Sequence, residues 1–253
     1  MWLGSRVVVV VPAWNEAPRI ERVVRTIPGW VDSIVVVDDA STDGTADAAR
    51  AAGDARLEVI RHPGNRGVGA AIASGYRRAL SIDGHPRDAF VVMAGDGQMA
   101  PDDLPAVVTP VARGDADYVK GSRFGASGLL RTMPPARLVG GIVLSWATAC
   151  AIGIPITDSQ CGYTAIARGA CALLDLDGLW PRYGYPNDIL SQLALRRLII
   201  AEAPVRPIYA DEVSRLRIRH VPLIAGVVAR SWWRRRRQAM SGERTIQDGG
   251  NVR

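Results

Sequence analysis

A single lysine, Lys120, and three cysteines, Cys150, Cys161 and Cys171, are present in 253 residues. An odd cysteine count without CxxC spacing argues against a disulfide framework or a zinc site and points to a reducing compartment. There is no Walker A sequence, and no GxGxxG follows the first predicted strand, so neither a P-loop nor a dinucleotide fingerprint is indicated. No tract is of low complexity, and 48% apolar with 22% charged residues excludes a disordered or collagen-like chain. A secretory pattern is also missing: Val7 to Val11 give way at once to Pro12, Asn15 and Glu16, with no small-residue cleavage site. Those valines read as a buried strand.

Charge is unevenly placed. The net charge is +6, but residues 214–253 hold ten arginines against Glu243 and Asp248, leaving 21 basic against 23 acidic side chains in residues 1–213. A slightly acidic body therefore carries a basic, tryptophan-containing tail, and the chain divides into a catalytic domain over 1–213 and a tail over 214–253. In the tail, Val221, Ile224, Val228 and Trp232 fall on one helical face and Arg230, Arg234 and Arg237 on the other. Trp232, Trp233, Arg234 and Arg237 are thus expected to contact an anionic membrane surface. A solvated tail or nucleic-acid binding is the rival reading, but no motif of a nucleic-acid fold accompanies the arginines, so no nucleic-acid partner is expected.

Short β-branched runs alternate with helical periodicity, the signature of βαβ units and a mainly parallel sheet. Strands are predicted at Val7–Val11, Ser33–Val37, Leu57–Arg61 and Phe90–Ala94, and helices at Ala17–Ile27, Thr45–Ala52, Val68–Leu80 and Asp102–Arg113. Continuous valine runs imply strands covered on both faces, hence a doubly wound, Rossmann-like α/β core. Leu138 to Ile156 is a run of 19 uncharged residues. Gly153 and Pro155 should end its helix near Ile152, leaving about 22 Å against roughly 30 Å of hydrocarbon, so a buried or interfacial helix is expected rather than a membrane span. Asn187–Arg197 reads as helix and Leu198–Tyr209 as extended, with Pro204 and Pro207 favouring a sheet edge.

Ligands of such sheets bind beyond the carboxyl ends of the strands. There the chain places Pro12-Ala13-Trp14-Asn15-Glu16, then Asp38-Asp39-Ala40-Ser41-Thr42-Asp43, then Gly95-Asp96-Gly97-Gln98. Carboxylates gathered at one crevice need a cation or donors to offset their repulsion. Asp43 reads as a helix cap. The adjacent pair Asp38 and Asp39 reads as a ligand site for ribose hydroxyls or a base N–H, since two buried carboxylates need partners. Asp96 and Gln98, two apart in an extended segment, would face one hard cation; the plain alternative is an Asp-Gly surface turn. Gly67 and Gly69 serve a turn and helix start or the close approach of a ligand.

In order from about Val7 to Leu216, the strings VVVPAWNE, VVVDDASTDGT, NRGVGAAIASGY, AGDGQ, KGSRF, TDSQCGYTAI and YGYPNDIL resemble the family 2 glycosyltransferases, and within them the dolichol-phosphate and polyprenyl-phosphate sugar transferases. The resemblance implies a GT-A fold, a nucleotide-diphosphate sugar donor, Mg²⁺ or Mn²⁺, and inversion at the anomeric carbon. It places Pro12, Trp14, Glu16, Asp38, Asp39 and Gly67 at the nucleotide sugar, with Asp96 as metal ligand supported by Gln98. It also places Arg123 and Arg215 at the diphosphate or acceptor phosphate, where the plain alternative is an ion pair.

Asp188 stands where related transferases carry a carboxylate facing the acceptor. It would be the general base for a hydroxyl acceptor, and is dispensable as a base for a phosphate monoester, whose second pKa is near 6. Its plain alternative is a helix N-cap. One position departs from the family pattern: Ala94 occupies the place of the first metal-site acid. The expected function is transfer to a polyprenyl phosphate at the cytoplasmic face of a membrane. The rivals are a non-lipid hydroxyl acceptor and a catalytically weakened binder of nucleotide sugar.

Overall fold

A computed structural model describes residues 1–124, 135–208 and 221–249. Its centre is a sheet of seven strands: β1 (Val7–Ala13), β2 (Ser33–Asp38), β3 (Leu57–Arg61), β4 (Ala89–Val92), β5 (Tyr118–Ser122), β6 (Thr164–Ala167) and β7 (Ile200–Pro204), in the order β3-β2-β1-β4-β6-β5-β7. All neighbours pair in parallel except β6, which runs antiparallel to both β4 and β5. The predicted strands are all present, and β7 lies at an edge, where its proline costs no ladder bond.

The valine run behaves as its composition requires. β1 is buried along its whole length and joins Ile34–Val37, Phe90–Val92 and Ile72 in one core. The helices are α1 (Ala17–Thr26), α2 (Thr45–Arg50), α3 (Val68–Leu80), α4 (Leu104–Arg113), α5 (Pro135–Ile152), α6 (Arg168–Ala172), α7 (Tyr185–Leu195) and α8 (Val221–Gly249). α5 ends at Ile152, with Gly153 in the left-handed conformation (φ 74°) that glycine tolerates best. Among the described residues no helix is long and apolar enough to cross a membrane.

β5, β6 and α6 were not predicted. YVKGS mixes a lysine and a glycine into five residues, and TAIA has four, so neither run carries a readable period; pairing with neighbouring strands makes both extended.

α8 is a helix, and the side it turns to the body is that of Ile224, Val227 and Ser231, which shares only Ile224 with the expected apolar stripe. It packs on α5 and α7, burying Ile224, Val227 and Ser231. Of the face expected to meet a bilayer, Ile224 is therefore enclosed, while Trp232 and its neighbour Trp233 remain 44% and 51% exposed.

Candidate active site

Because β6 is antiparallel, the ends of β1, β2, β4, β5 and β7 and the start of β6 all lie along one edge of the sheet. Backbone bonds hold three of these ends side by side: Asp39 N–H donates to the Ala13 carbonyl (2.9 Å) and Gly95 N–H to the Pro12 carbonyl (3.1 Å). The loops after β1 and β2 are then tied together. Ser41 Oγ accepts from Asn15 N–H, Asn15 Oδ1 accepts from Thr42 N–H, and Thr45 Oγ1 accepts from Glu16 N–H, all at 2.8–2.9 Å.

The N-cap of α2 is Gly44 rather than Asp43, but the Asp43 carboxylate one residue earlier ties the starts of two helices together. One oxygen accepts from Thr45 N–H and its hydroxyl, the other from Ala17 N–H at the start of α1. Burial acts to raise its pKa, but these hydrogen bonds outweigh it and hold the carboxyl below the usual range. In this frame Pro12 is buried within β1, Glu16 is 5% exposed beside Arg19 (3.4 Å), and Trp14 projects outward at 44% exposure.

The adjacent aspartates differ in kind. Asp39 Oδ1 meets His62 Nδ1 (2.7 Å) and Arg66 N–H (2.8 Å), and Oδ2 accepts from Gly67 N–H (2.7 Å). His62 is anchored in turn by Ser74 Oγ at 2.9 Å. Asp39 therefore organises the β3–α3 loop. Asp38 Oδ1 accepts from Ser41 N–H, whereas its buried Oδ2 makes no hydrogen bond; Arg61 Nε lies 3.3 Å away, in ion-pair range but without hydrogen-bond geometry. A buried acceptor without a hydrogen bond is costly, so of the pair Asp38 is the one with capacity for a ligand donor.

Gly67 is the N-cap of α3 at φ 95°, as the turn and helix-start reading expects, and close packing gives it and Gly69 a further cause. A side chain on Gly67 or Gly69 would overlap the backbone of Trp180 and Pro181, and Gly69 and Ala70 N–H both donate to the Pro181 carbonyl. The α3 start is thus docked on protein, and the Gly67 N–H offered to a nucleotide sugar is held by Asp39 instead.

Asp96 and Gln98 lie in a turn, not an extended segment. Gly97 has φ 75°, and Asp96 Oδ1 accepts from Gln98 N–H at 3.0 Å, so the same-side argument for the two side chains does not hold. Both are half-buried, just after Gly95, whose N–H is held by the Pro12 carbonyl of β1. Among the described residues no group of three or more His, Cys, Asp or Glu could hold a metal. One carboxylate and one amide oxygen nevertheless fit Mg²⁺ or Mn²⁺, hard cations that retain positions for phosphate oxygens and water. Tyr185, opening α7, approaches this corner: burial pushes its phenol up, and the Asp96 charge adds to the shift.

Beyond β5, Arg123 makes a two-pronged ion pair with Asp158, Nε to Oδ2 at 2.7 Å and Nη2 to Oδ1 at 2.9 Å, and donates its backbone N–H as well. Asp158 is fully enclosed; burial would raise its pKa, but the Arg123 hydrogen bonds and charge bring it below the usual range. The pair is buried rather than superficial, and it fixes the guanidinium at the strand edge. Beside it Lys120 is wholly buried, donates to the Cys161 carbonyl, and is pulled down to about 8 by desolvation.

Asp188 does not cap α7, whose N-cap is Gly184. It is 1% exposed, accepts from Trp180 N–H through Oδ2, and meets Arg234 of α8 through Oδ1, each at 2.9 Å. Arg234, read as a membrane contact, turns inward. Lys120 and Asp158 stand in the KGSRF and TDSQCGYTAI segments and His62 after β3, but their burial and their partners come from the tertiary structure alone. Arg215 lies outside the described residues.

Comparison with known proteins gives the family and the fold. The family described as "Glycosyl transferase family 2" matches residues 8–172. A UDP-N-acetylglucosamine–dolichyl-phosphate N-acetylglucosaminyltransferase of Methanococcus voltae is 30% identical, over 80% of this chain and 85% of the relative. An undecaprenyl-phosphate mannosyltransferase of Micrococcus luteus is 31% identical, over 79% and 82%. Among solved structures, glucosyl-3-phosphoglycerate synthase of Mycobacterium tuberculosis, in complex with Mn²⁺, uridine diphosphate and phosphoglyceric acid, superposes with TM-score 0.65 at 22% identity, over 90% of this chain and 77% of that one. That likeness establishes the GT-A fold. With a family match over most of its length and an α/β core whose strand ends carry the motif residues, this chain is a family 2 glycosyltransferase.

Proposed function

We propose that this enzyme transfers a sugar from a nucleoside-diphosphate donor to a polyprenyl phosphate, with inversion. The observation that carries the reading is that three relatives matching about four-fifths of the chain are named for a dolichyl-phosphate or undecaprenyl-phosphate acceptor or for a polyprenol monophosphomannose product. Asp38 receives the nucleoside through Oδ2, the oxygen that carries no hydrogen bond, flanked by Pro12, Trp14 and Glu16. Asp96 and Gln98 hold Mg²⁺ or Mn²⁺, which when bound offsets the charge of the leaving diphosphate. Arg123, fixed by Asp158, adds a positive charge that needs no reorganisation during reaction, the kind of stabilisation that contributes most to such displacements.

A phosphate acceptor is already largely a dianion near neutral pH, so no strong base is required. This agrees with an Asp188 that is paired with Arg234 rather than poised to take a proton. In this reading Asp188 positions the acceptor side, and Arg215 contributes to phosphate binding. Trp232, Trp233 and Arg237 meet an anionic membrane, on the cytoplasmic face in keeping with three free cysteines.

The experiment is transfer from a panel of UDP-, GDP- and dTDP-sugars, with Mg²⁺ or Mn²⁺, to a short-chain polyprenyl phosphate and, in parallel, to phosphoglycerate and simple sugars. Product on the lipid phosphate alone supports the reading. Product on a hydroxyl or non-lipid acceptor alone overturns it, and donor binding without product under all conditions indicates a weakened relative.

A further inference from the structure

The chain leaving β7 stays on the sheet edge that carries the motif residues. Val205 N–H donates to the Ser122 carbonyl at the end of β5 (3.0 Å), Pro207 pairs with Met99 in an antiparallel bridge, and Ile208 N–H donates to the Gln98 carbonyl (2.9 Å). Residues 205–208 therefore form a strap that begins beside Arg123 and ends on the turn holding Asp96 and Gln98.

Side chains fasten the middle of the strap. Arg206 donates its backbone N–H to Asp103 Oδ2 (2.6 Å) and both Nε and Nη2 to Oδ1 (2.9 and 2.8 Å), with Asp102 3.8 Å from Nη2. Asp103 is buried, in the short turn Pro101–Asp103 that leads from the metal loop into α4. An exposed ion pair is usually worth little, but this carboxylate is enclosed and takes three hydrogen bonds from one residue. The loop between is held as well: buried Tyr163 donates its hydroxyl to the Ala100 carbonyl (3.0 Å), and Ala94 N–H reaches Met99 Sδ (3.2 Å).

We propose that Arg206 is a positioning residue for the divalent cation. Through its clamp on Asp103 it pins the strap, and through the Ile208–Gln98 bond the strap anchors the Asp96–Gln98 turn to the end of β5. Ala94 leaves a single carboxylate in this turn, so cation affinity depends the more on how well the two remaining side-chain oxygens are presented. A turn without the strap would have to be ordered when the cation binds, at a cost in conformational entropy. The inference rests on the metal assignment made above for Asp96 and Gln98, and its test separates the two.

Mn²⁺ uptake by the full chain is followed through the loss of the free-ion paramagnetic resonance signal, with Mn²⁺ alone and with uridine or guanosine diphosphate added. Arg206→Gln should raise the Mn²⁺ dissociation constant about fivefold, less than the loss of a group bonded directly to a ligand side chain. Asp103→Asn should act in the same direction, and the double variant should be no worse than the worse single, because both changes open one clamp. Excess Mn²⁺ should restore most of the turnover of Arg206→Gln, which it would not do for a substitution that only loosens the fold. Arg78→Gln, which breaks an ion pair with Glu58 of β3, is the control and should leave Mn²⁺ affinity unchanged. Should Asp103→Asn melt early, Arg206→Gln carries the test, since its guanidinium is 61% exposed and its backbone N–H still reaches Asp103.

Equal Mn²⁺ affinity in wild type and Arg206→Gln, with uptake abolished in Asp96→Asn, overturns the proposal and leaves the metal assignment standing. Additive losses in the double variant also overturn it, since the two residues would then act separately. If wild type takes up no Mn²⁺, or Asp96→Asn takes it up normally, the metal assignment fails and the proposal falls with it.

Discussion

Arg234 of the C-terminal helix and Asp188 of α7, 46 residues apart, meet at 2.9 Å with the carboxylate 1% exposed. The basic tail is thereby tied to α7, and α8 is held against the body. Removing the arginine leaves Asp188 enclosed with the Trp180 N–H. Arg234→Gln should destabilise the protein by about 1–3 kcal/mol, below the usual range for wholly buried pairs because the arginine is partly exposed. A double-mutant cycle with Asp188→Asn, followed by urea unfolding, should return a coupling of about 1 kcal/mol or more. Additive effects would show that the contact does not hold α8 in place.

The two adjacent aspartates should separate stability from binding. Asp39→Asn turns an amide N–H₂ toward the donors around it, and should cost about 2–3 kcal/mol in urea unfolding. Asp38→Asn keeps an oxygen for Ser41 N–H and should change stability by less than about 1 kcal/mol. In the same variant, affinity for the nucleotide-sugar donor should fall about tenfold in titration calorimetry. The reverse pattern would exchange their roles.

Asp96→Asn preserves the acceptor for Gln98 N–H, so the turn should survive while turnover drops at least about a hundredfold. Near-normal turnover would remove Asp96 from the metal site. Ala94→Asp, restoring the missing acid at a half-buried position, should lower the Mn²⁺ concentration for half-maximal activity several-fold. No change would place Ala94 away from the metal.

Lys120 gives a pH test. Burial lowers its pKa from 10.5 to about 8, so across that interval the unfolded chain holds a proton that the folded chain has released. The unfolded state binds more protons there, so this residue's contribution to stability rises with pH between about 8 and 10.5; below 8 the buried charge exerts its full cost. Buried Tyr118, Tyr163 and Cys171, all raised by burial, act in the opposite sense at alkaline pH. The measurable quantity is therefore the unfolding free energy of wild type minus that of Lys120→Met at pH 7, 8.5 and 10. It should climb with pH, and a flat difference would mean that Lys120 titrates normally.

Much of the fold was legible because its evidence is local. Uninterrupted valines can only be buried strands, Gly153 and Pro155 stop α5 at Ile152, and the order of motifs along the chain suffices to recognise the family. The lapses were equally physical. β5 and β6 take their strand form from partners, and the Gly97 turn redirects Asp96 in a way that strand alternation cannot foresee.

Which side chains are committed and which are open was settled by contacts between residues far apart in the chain. Asp39 is filled by His62 and Gly67, Arg123 by Asp158 35 residues on, and Asp188 by Arg234. Periodicity records the face on which a residue lies, and a motif records its chemical type. Neither records the hydrogen-bond partners that folding delivers from elsewhere, and those partners leave Asp38, not Asp39, with an oxygen to offer. The same holds for the tail: its composition announced a basic amphipathic helix, but packing enclosed Ile224 and Val227 and left Trp232 and Trp233 outside.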